Sequence, residues 1–204
     1  MLLIHLQIAF CHPLVQLQSL QSEEFLREIR AMKERNLAVE ALSRLLNGEI
    51  KARFKTNIVK NSQYSELLEA ALSKYRNRSI ETAQLIEELI ELAKKLNEQI
   101  KSGNPDGLTD YEVSFYDALE VNAAAVREMK HETLVRLAQE LTRKVRDNIK
   151  VDWSVRESTQ AALRVMVRDL LDKYGYPPDF SKQAIETVIK QAESLTEEWL
   201  AQKS

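Results

Sequence analysis

The chain has 204 residues, 44% hydrophobic and 29% charged, with four glycines, four prolines and 6% aromatics, too apolar for a disordered chain and too poor in turn formers for a β-sandwich or barrel. A formal net charge of −2 does not mark a bulk nucleic-acid binder. One cysteine, Cys11, cannot close an internal disulfide, and with three histidines it offers no zinc site.

Met1 to Leu17 is apolar but broken by His5, Gln7, His12, Pro13 and Gln16. It is too short and too polar for a membrane span of about 20 residues. It also lacks the basic n-region and A-x-A site of a signal peptide. Phe10 stands before Cys11, where a lipoprotein signal needs a small residue. The segment is expected to be an arm packed on the rest of a cytoplasmic protein.

From Ser22 on, apolar residues recur at helical spacing. Phe25, Ile29 and Met32 make one stripe. Leu37, Ala41, Leu45 and Ile50 make a second, with Asn36 as the expected N-cap and Gly48 as a weak point costing up to ~1 kcal/mol against Ala. A third stripe follows Asn61 and Ser62 through Tyr64, Leu68 and Tyr75, and continues from Ile80 to Ile100. The pattern leaves open whether the chain bends at Arg76 to Ser79 or runs on as one helix.

Gly103-Asn104-Pro105-Asp106-Gly107 is the clearest loop. Gly103 suits the position just past a helix, and Pro105 prevents continuation. Thr109 with Glu112 spells a capping box, and so does Ser154 with Glu157. Between them lie a short helical pair with Phe115, Leu119 and Val126, and a clean stripe of Leu134, Leu137, Leu141, Val145 and Ile149. Leu163 to Tyr174 forms the next helix, which Gly175, Pro177 and Pro178 end. Ala184 to Trp199 forms the last. These patterns predict an all-α chain, a multi-helix bundle of about seven or eight helices with no sheet. Residues 1–21 form an N-terminal arm, 22–102 a first helical half, 103–108 a loop and 109–204 a second half packing on the first. No internal repeat is present.

Catalytic patterns are few. The four glycines never meet the Walker A spacing that wraps phosphates with backbone N–H groups. Asp106 with Glu128 and Lys130 formally matches a metal-assisted nuclease, but that chemistry places its acids on adjacent strands, and none are predicted. Glu128-x-x-His131 is half of a di-iron motif without its other half, so His131 reads as a surface or capping residue. There is no nucleophile elbow, and Cys11-His12 are mere sequence neighbours. No enzyme and no cofactor are expected from these residues.

What is left is surface chemistry. Arg44, Lys51, Arg53, Lys55 and Lys60 stand against Glu49 alone, and helical spacing places Arg44, Lys51 and Lys55 on one side of a single helix. Smaller basic groups lie at Lys74, Arg76 and Arg78 and at Arg143, Lys144, Arg146 and Lys150. Such groups suit phosphate contact, although exposed charge runs more often mean a solvated face. Trp153 beside Arg156 is either an interface anchor or a lid on the core.

Several strings resemble one family closely. They are Asn36-Leu37-Ala38-Val39-Glu40, Ile80-Glu81-Thr82-Ala83, Ile86-Glu87-Glu88-Leu89-Ile90-Glu91-Leu92-Ala93-Lys94, Phe115-Tyr116-Asp117-Ala118-Leu119, Asp152-Trp153-x-Val155-Arg156-Glu157 and Lys173-Tyr174-Gly175-Tyr176-Pro177-Pro178. In that order they resemble the C-terminal helical region of the R subunit (HsdR) of type I restriction enzymes, from about Ser22 to Trp199. The resemblance implies a helical assembly module that docks the nuclease and translocase subunit on the methyltransferase core of M and S subunits, with DNA nearby. The family's nuclease and translocase domains lie upstream of this region, so no catalytic residue carries over. Residues 1 to about 20 do not look like the end of a translocase domain, which suggests a truncated or split gene or an expressed fragment. The expected interaction surface is Arg44, Lys51, Arg53, Lys55, Trp153 and Arg156. The alternative is an independent helical nucleic-acid-binding protein that uses the basic helix faces.

Overall fold

The structure, a computed structural model, describes residues 22–101, 104, 106–148 and 157–203. Among these residues it is all-α, with nine helices and no strand. They are α1 (Glu23–Ala31), α2 (Arg35–Arg53), α3 (Ile58–Arg76), α4 (Thr82–Lys101), α5 (Asp110–Glu120), α6 (Ala123–Glu128), α7 (His131–Asn148), α8 (Glu157–Lys173) and α9 (Pro178–Lys203). The expected N-terminal arm, Gly103, Pro105, Trp153, Arg156 and the Ser154 cap lie outside the described residues.

The chain divides into two compact units, and the division is not a single cut. Residues up to Arg53 and from Asn61 to Gly103 form one unit, while Phe54–Lys60 belongs with Asn104–Ser204 in the other.

In the first unit, Ser22 caps α1: its Oγ accepts from the Phe25 N–H at 3.4 Å, and Glu23 and Glu24 sit in the first turn, where the helix dipole favours negative charge. Helix α2 begins before Asn36, so Asn36 is not its cap. The Glu34 carbonyl accepts the first helical bond, from Ala38 N–H at 3.1 Å. The Asn36 carboxamide instead accepts from the Tyr75 hydroxyl at 3.4 Å. Helices α2 and α4 pack on each other, burying Leu42, Leu46 and Ile50 of the first and Leu85, Leu89 and Leu96 of the second. Gly48 does not break α2, which continues through it for five further residues to Arg53.

The chain does bend between Arg76 and Ser79. Arg78 lies at φ +56°, the Arg78 N–H donates to the Tyr75 carbonyl at 2.9 Å and the Ser79 N–H to the Lys74 carbonyl at 2.8 Å. That pair of bonds closes a helix end through a left-handed residue. Glycine usually occupies the place, and here an arginine does.

The second unit is built around one apolar cluster. Phe115, Leu119, Leu134, Leu137, Leu141, Val167, Leu171, Val188, Leu195 and Trp199 are buried together there. Helix α5 packs on α7 and α9, and α8 packs on both α7 and α9. Trp199 stacks on Phe115 with ring centroids 6.2 Å apart and meets Tyr111 edge-on at 5.4 Å. The expected capping box at α5 is present: the Glu112 N–H donates to Thr109 Oγ1 at 3.4 Å, and the Thr109 N–H donates to Glu112 Oε2 at 2.7 Å. Gly175, at φ +70°, ends α8, with the Tyr176 N–H donating to the Leu171 carbonyl at 2.9 Å and the Gly175 N–H to Asp172 at 3.1 Å. Pro178 then opens α9, where its missing N–H costs nothing.

Candidate functional site

The basic stretch from Arg44 to Lys60 is not one helix. Helix α2 stops at Arg53, and Lys55 lies in the turn that follows, so it does not share the α2 face with Arg44 and Lys51. The break has a local cause: Asn57 starts a new helix, its Oδ1 accepting from the Lys60 N–H at 3.0 Å as an N-cap. The five cations differ in their engagement. Arg44 pairs with Glu40 at 2.6 Å on an exposed face. Arg53 pairs with Glu49, a buried carboxylate one turn earlier. Lys60 reaches Asp117 at 3.5 Å. Lys51 and Lys55 are exposed. Pairs such as Arg44 with Glu40 leave most of their charge to solvent and add little stability.

Within the second unit a buried polar bracket holds residues 54–60, and its members are Asn57, Asp117 and Gln191. Gln191 is fully buried, with Nε2 donating to the Thr56 carbonyl at 2.7 Å and Oε1 accepting from the Ile58 N–H at 3.0 Å. The carboxamide thus does for two backbone groups what a neighbouring strand would do. Asn57, whose Oδ1 is the cap, donates through Nδ2 to Asp117 Oδ2 at 2.6 Å. Burial pushes the Asp117 carboxyl above the ordinary aspartate range, opposed by the Lys60 ammonium and the Asn57 hydrogen bond. Sequence reasoning missed this bracket. The legible signal was Gln191 in the apolar stripe of α9 and Asn57 directly before Ile58.

A second polar cluster links the loop before α5 to α5 and α7. His131, first residue of α7, meets Asp106 through Nε2 at 2.9 Å and the Tyr116 hydroxyl through Nδ1 at 3.0 Å. The Tyr116 hydroxyl donates to Glu120 Oε1 at 2.7 Å. An aspartate, a histidine and a hydroxyl in series resemble a nucleophilic triad in outline. The chemistry runs the other way: burial and the Glu120 hydrogen bond push the Tyr116 phenol well above its usual range, which deactivates it as a nucleophile. Asp106 pairs with His131. Among the described residues no cluster of three or more His, Cys, Asp or Glu side chains is placed to hold a metal ion.

The strings that carry the family resemblance become tie points. In Phe115 to Leu119, Phe115 stacks on Trp199, Tyr116 meets His131, Asp117 receives Asn57, and the Leu119 carbonyl accepts from the Tyr176 hydroxyl at 2.9 Å. In Lys173 to Pro178, Lys173 and Tyr174 converge on Glu140 at 2.7 and 2.6 Å, Gly175 ends α8, and Tyr176 reaches back to α5. In the string from Ile86 to Lys94, Glu87 binds Arg30 at 2.8 Å and Glu88 binds Lys74 at 3.1 Å. In these three strings the side chains tie helices to one another.

In the first unit, α3 and α4 leave an open groove of about 690 Å³, floored by Leu67, Ala70, Ala71 and Leu92 and flanked by Glu87, Glu88 and Lys95. Leu67 is 46% exposed there. Among the described residues no helix is long and apolar enough to cross a membrane.

Residues 15–198 match the family model described as "Type I restriction enzyme HindI endonuclease subunit-like, C-terminal". The chain is 37% identical over 180 residues to the type I restriction enzyme HindI endonuclease subunit of Haemophilus influenzae, covering 88% of this chain and 17% of that protein. It is 32% identical over 158 residues to the putative type I restriction enzyme MjaIXP endonuclease subunit of Methanocaldococcus jannaschii, covering 77% of this chain and 15% of that protein. No solved structure matches. The chain belongs to the family of C-terminal regions of type I restriction endonuclease subunits. It spans about one sixth of the length of these two relatives.

Proposed function

We propose that this region is a non-catalytic assembly domain, which docks the endonuclease subunit of a type I restriction complex on its methyltransferase core of M and S subunits, in the cytoplasm and close to DNA. The observation that carries the reading is the open α3–α4 groove: Leu67, Leu92 and two alanines form an unfilled floor inside a polar rim. An apolar centre ringed by polar groups is the anatomy of a protein–protein contact. The second support is that the side chains of three of the strings that carry the resemblance make contacts between helices.

The proposed surface adds Arg44 and Lys51 on α2, Lys55 in the following turn, Arg53 beside its Glu49 partner, and Trp153 with Arg156. Basic groups near an assembled complex on DNA favour phosphate contact, and that share of the affinity falls with salt. The test is co-elution of the full chain with its cognate methyltransferase core, with and without DNA, at two salt concentrations. Co-elution that Leu67→Glu abolishes, and that Arg44→Glu with Lys51→Glu weakens only at low salt, is the expected result. Binding to bare DNA without the core supports instead an independent nucleic-acid-binding protein. Failure with both overturns the docking reading.

A further inference from the structure

The rim of the α3–α4 groove is already balanced in charge. Glu87 pairs with Arg30 at 2.8 Å, Glu88 with Lys74 at 3.1 Å and Glu91 with Lys94 at 3.2 Å, so each carboxylate of the lining holds a cation of this chain. A charged occupant finds these carboxylates engaged, whereas an uncharged apolar one needs none of them. Between the walls lie Leu67, Ala70, Ala71 and Leu92. Leu67 is one of two large apolar side chains, with Leu37, that the described residues of the first unit leave exposed.

The chain carries a segment of matching chemistry. Residues 1–22 contain no Asp, Glu, Lys or Arg, and Met1 to His12 is apolar except for His5, Gln7 and His12. Leu3, Leu6 and Phe10 recur at i, i+3 and i+7, the spacing by which one face of a helix anchors in a groove. At about 1.5 Å per residue, Met1 to His12 covers about 18 Å before Pro13, and the groove runs along α4 from Ala83 to Lys95, also about 18 Å. The segment also reaches. Helix α1 spans about 13 Å and its Arg30 binds Glu87 in the groove wall, which sets Ser22 roughly 20 Å from the groove. Pro13 to Gln21, fully extended, covers about 30 Å. The groove lies inside the region that matches the family, 15–198, and residues 1–14 lie before it.

We propose that residues 1–14 cover the α3–α4 groove of their own chain, with Leu3, Leu6 and Phe10 against Leu67, Ala70, Ala71 and Leu92, and that the methyltransferase core must displace them to dock. The displacement rests on the docking proposed for this groove; the contact does not. A protein whose site is free for only a fraction of the time binds its partner more weakly by that fraction. The segment therefore sets the affinity of the groove without touching the partner.

Cys11 is the single cysteine of the chain, so a nitroxide attached to it reports where the segment lies. In the full chain, the NMR amide signals of Leu67 to Lys74 and of Ala83 to Lys95 should broaden while those of α8 do not. Leu67→Glu should remove that broadening, and Phe10→Glu should do the same without altering the groove. Broadening spread evenly over the chain, or none in the groove, overturns the proposal. So does equal broadening when the nitroxide is carried by one chain and the observed amides by another, which would put a second copy in the groove. Removing residues 1–14 should tighten binding to the methyltransferase core about fivefold, as for a groove covered about four-fifths of the time. An unchanged affinity overturns the displacement. If neither form binds the core, the docking reading fails, and the nitroxide result alone decides the contact.

Discussion

Gln191 donates through Nε2 to the carbonyl oxygen of Thr56 at 2.7 Å, a bond between residues 135 positions apart in the chain. With its second bond, from Ile58 N–H, it holds both sides of the α2–α3 turn and draws residues 54–60 into the second unit. Replacing Gln191 by Ala removes both partners and leaves a carbonyl and an N–H unsatisfied, at a cost of about 2–3 kcal/mol. Gln191→Met, which keeps the volume, should cost nearly as much. Urea unfolding of both variants checks this, and a loss only in the alanine variant would assign the effect to packing.

Asp117 makes the same segment sensitive to pH. Its pKa is raised by burial, so the folded state holds its proton more tightly than the unfolded chain does. The associated stability is therefore fully present below the ordinary aspartate value and is lost as pH rises through the raised folded one. Asp117→Asn should flatten this part of the pH–stability curve, and Lys60→Met should extend it to higher pH by removing the Lys60 charge 3.5 Å away. Chemical denaturation at a series of acid pH values checks the sign. A difference between wild type and Asp117→Asn that grows in favour of wild type as pH rises over that window would refute the assignment.

The all-α class, the capping box at Thr109, the stripe of α7 and the end of α8 at Gly175 were legible because each is a local pattern of a few residues. The break between α3 and α4 was not. Its closing residue is Arg78 and not a glycine, so the left-handed turn left no mark in the sequence. The cap of α3 was also displaced: Asn61 and Ser62 resemble a helix start, but Asn57 takes the role because Asp117, 60 residues away, engages its carboxamide. Neither the Gln191 bracket nor the His131 cluster follows from spacing, since both join residues whose proximity only the tertiary fold creates. The basic stretch misled for a related reason, because a periodicity continued across residues 54–57 cannot register that a helix has ended.

Two substitutions of opposite chemistry should stabilise the first unit. Gly48 lies inside α2, without positive φ, and a Cβ there meets nothing within 4 Å. Gly48→Ala should therefore add about 0.8–1 kcal/mol from helix propensity alone. Arg78→Gly relieves the left-handed conformation at φ +56° and should add about 0.5–1 kcal/mol after the entropy glycine gains in the unfolded chain. Gly175→Ala, at φ +70°, is the control and should lose about 1 kcal/mol although space is available. Thermal melting of the three variants separates backbone conformation from packing, since none of these changes removes a contact of the core.

Tyr176 offers the sharpest test of the family string it belongs to. Its hydroxyl, at the start of the α8–α9 connection, donates to the Leu119 carbonyl in the last turn of α5 at 2.9 Å. Carbonyls in a last turn have no partner within their own helix, and this one is satisfied from a distant element. Burial also raises the Tyr176 pKa, so the phenol remains a donor well into alkaline conditions. Tyr176→Phe keeps the ring in the core and removes only the bond, which should cost about 1–2 kcal/mol. Amide hydrogen exchange should then accelerate at the C-terminal end of α5 and at the start of α9 while α2 and α4 stay protected. Uniform acceleration over the whole chain would mean that the bond supports global stability and does not tie these two elements in particular.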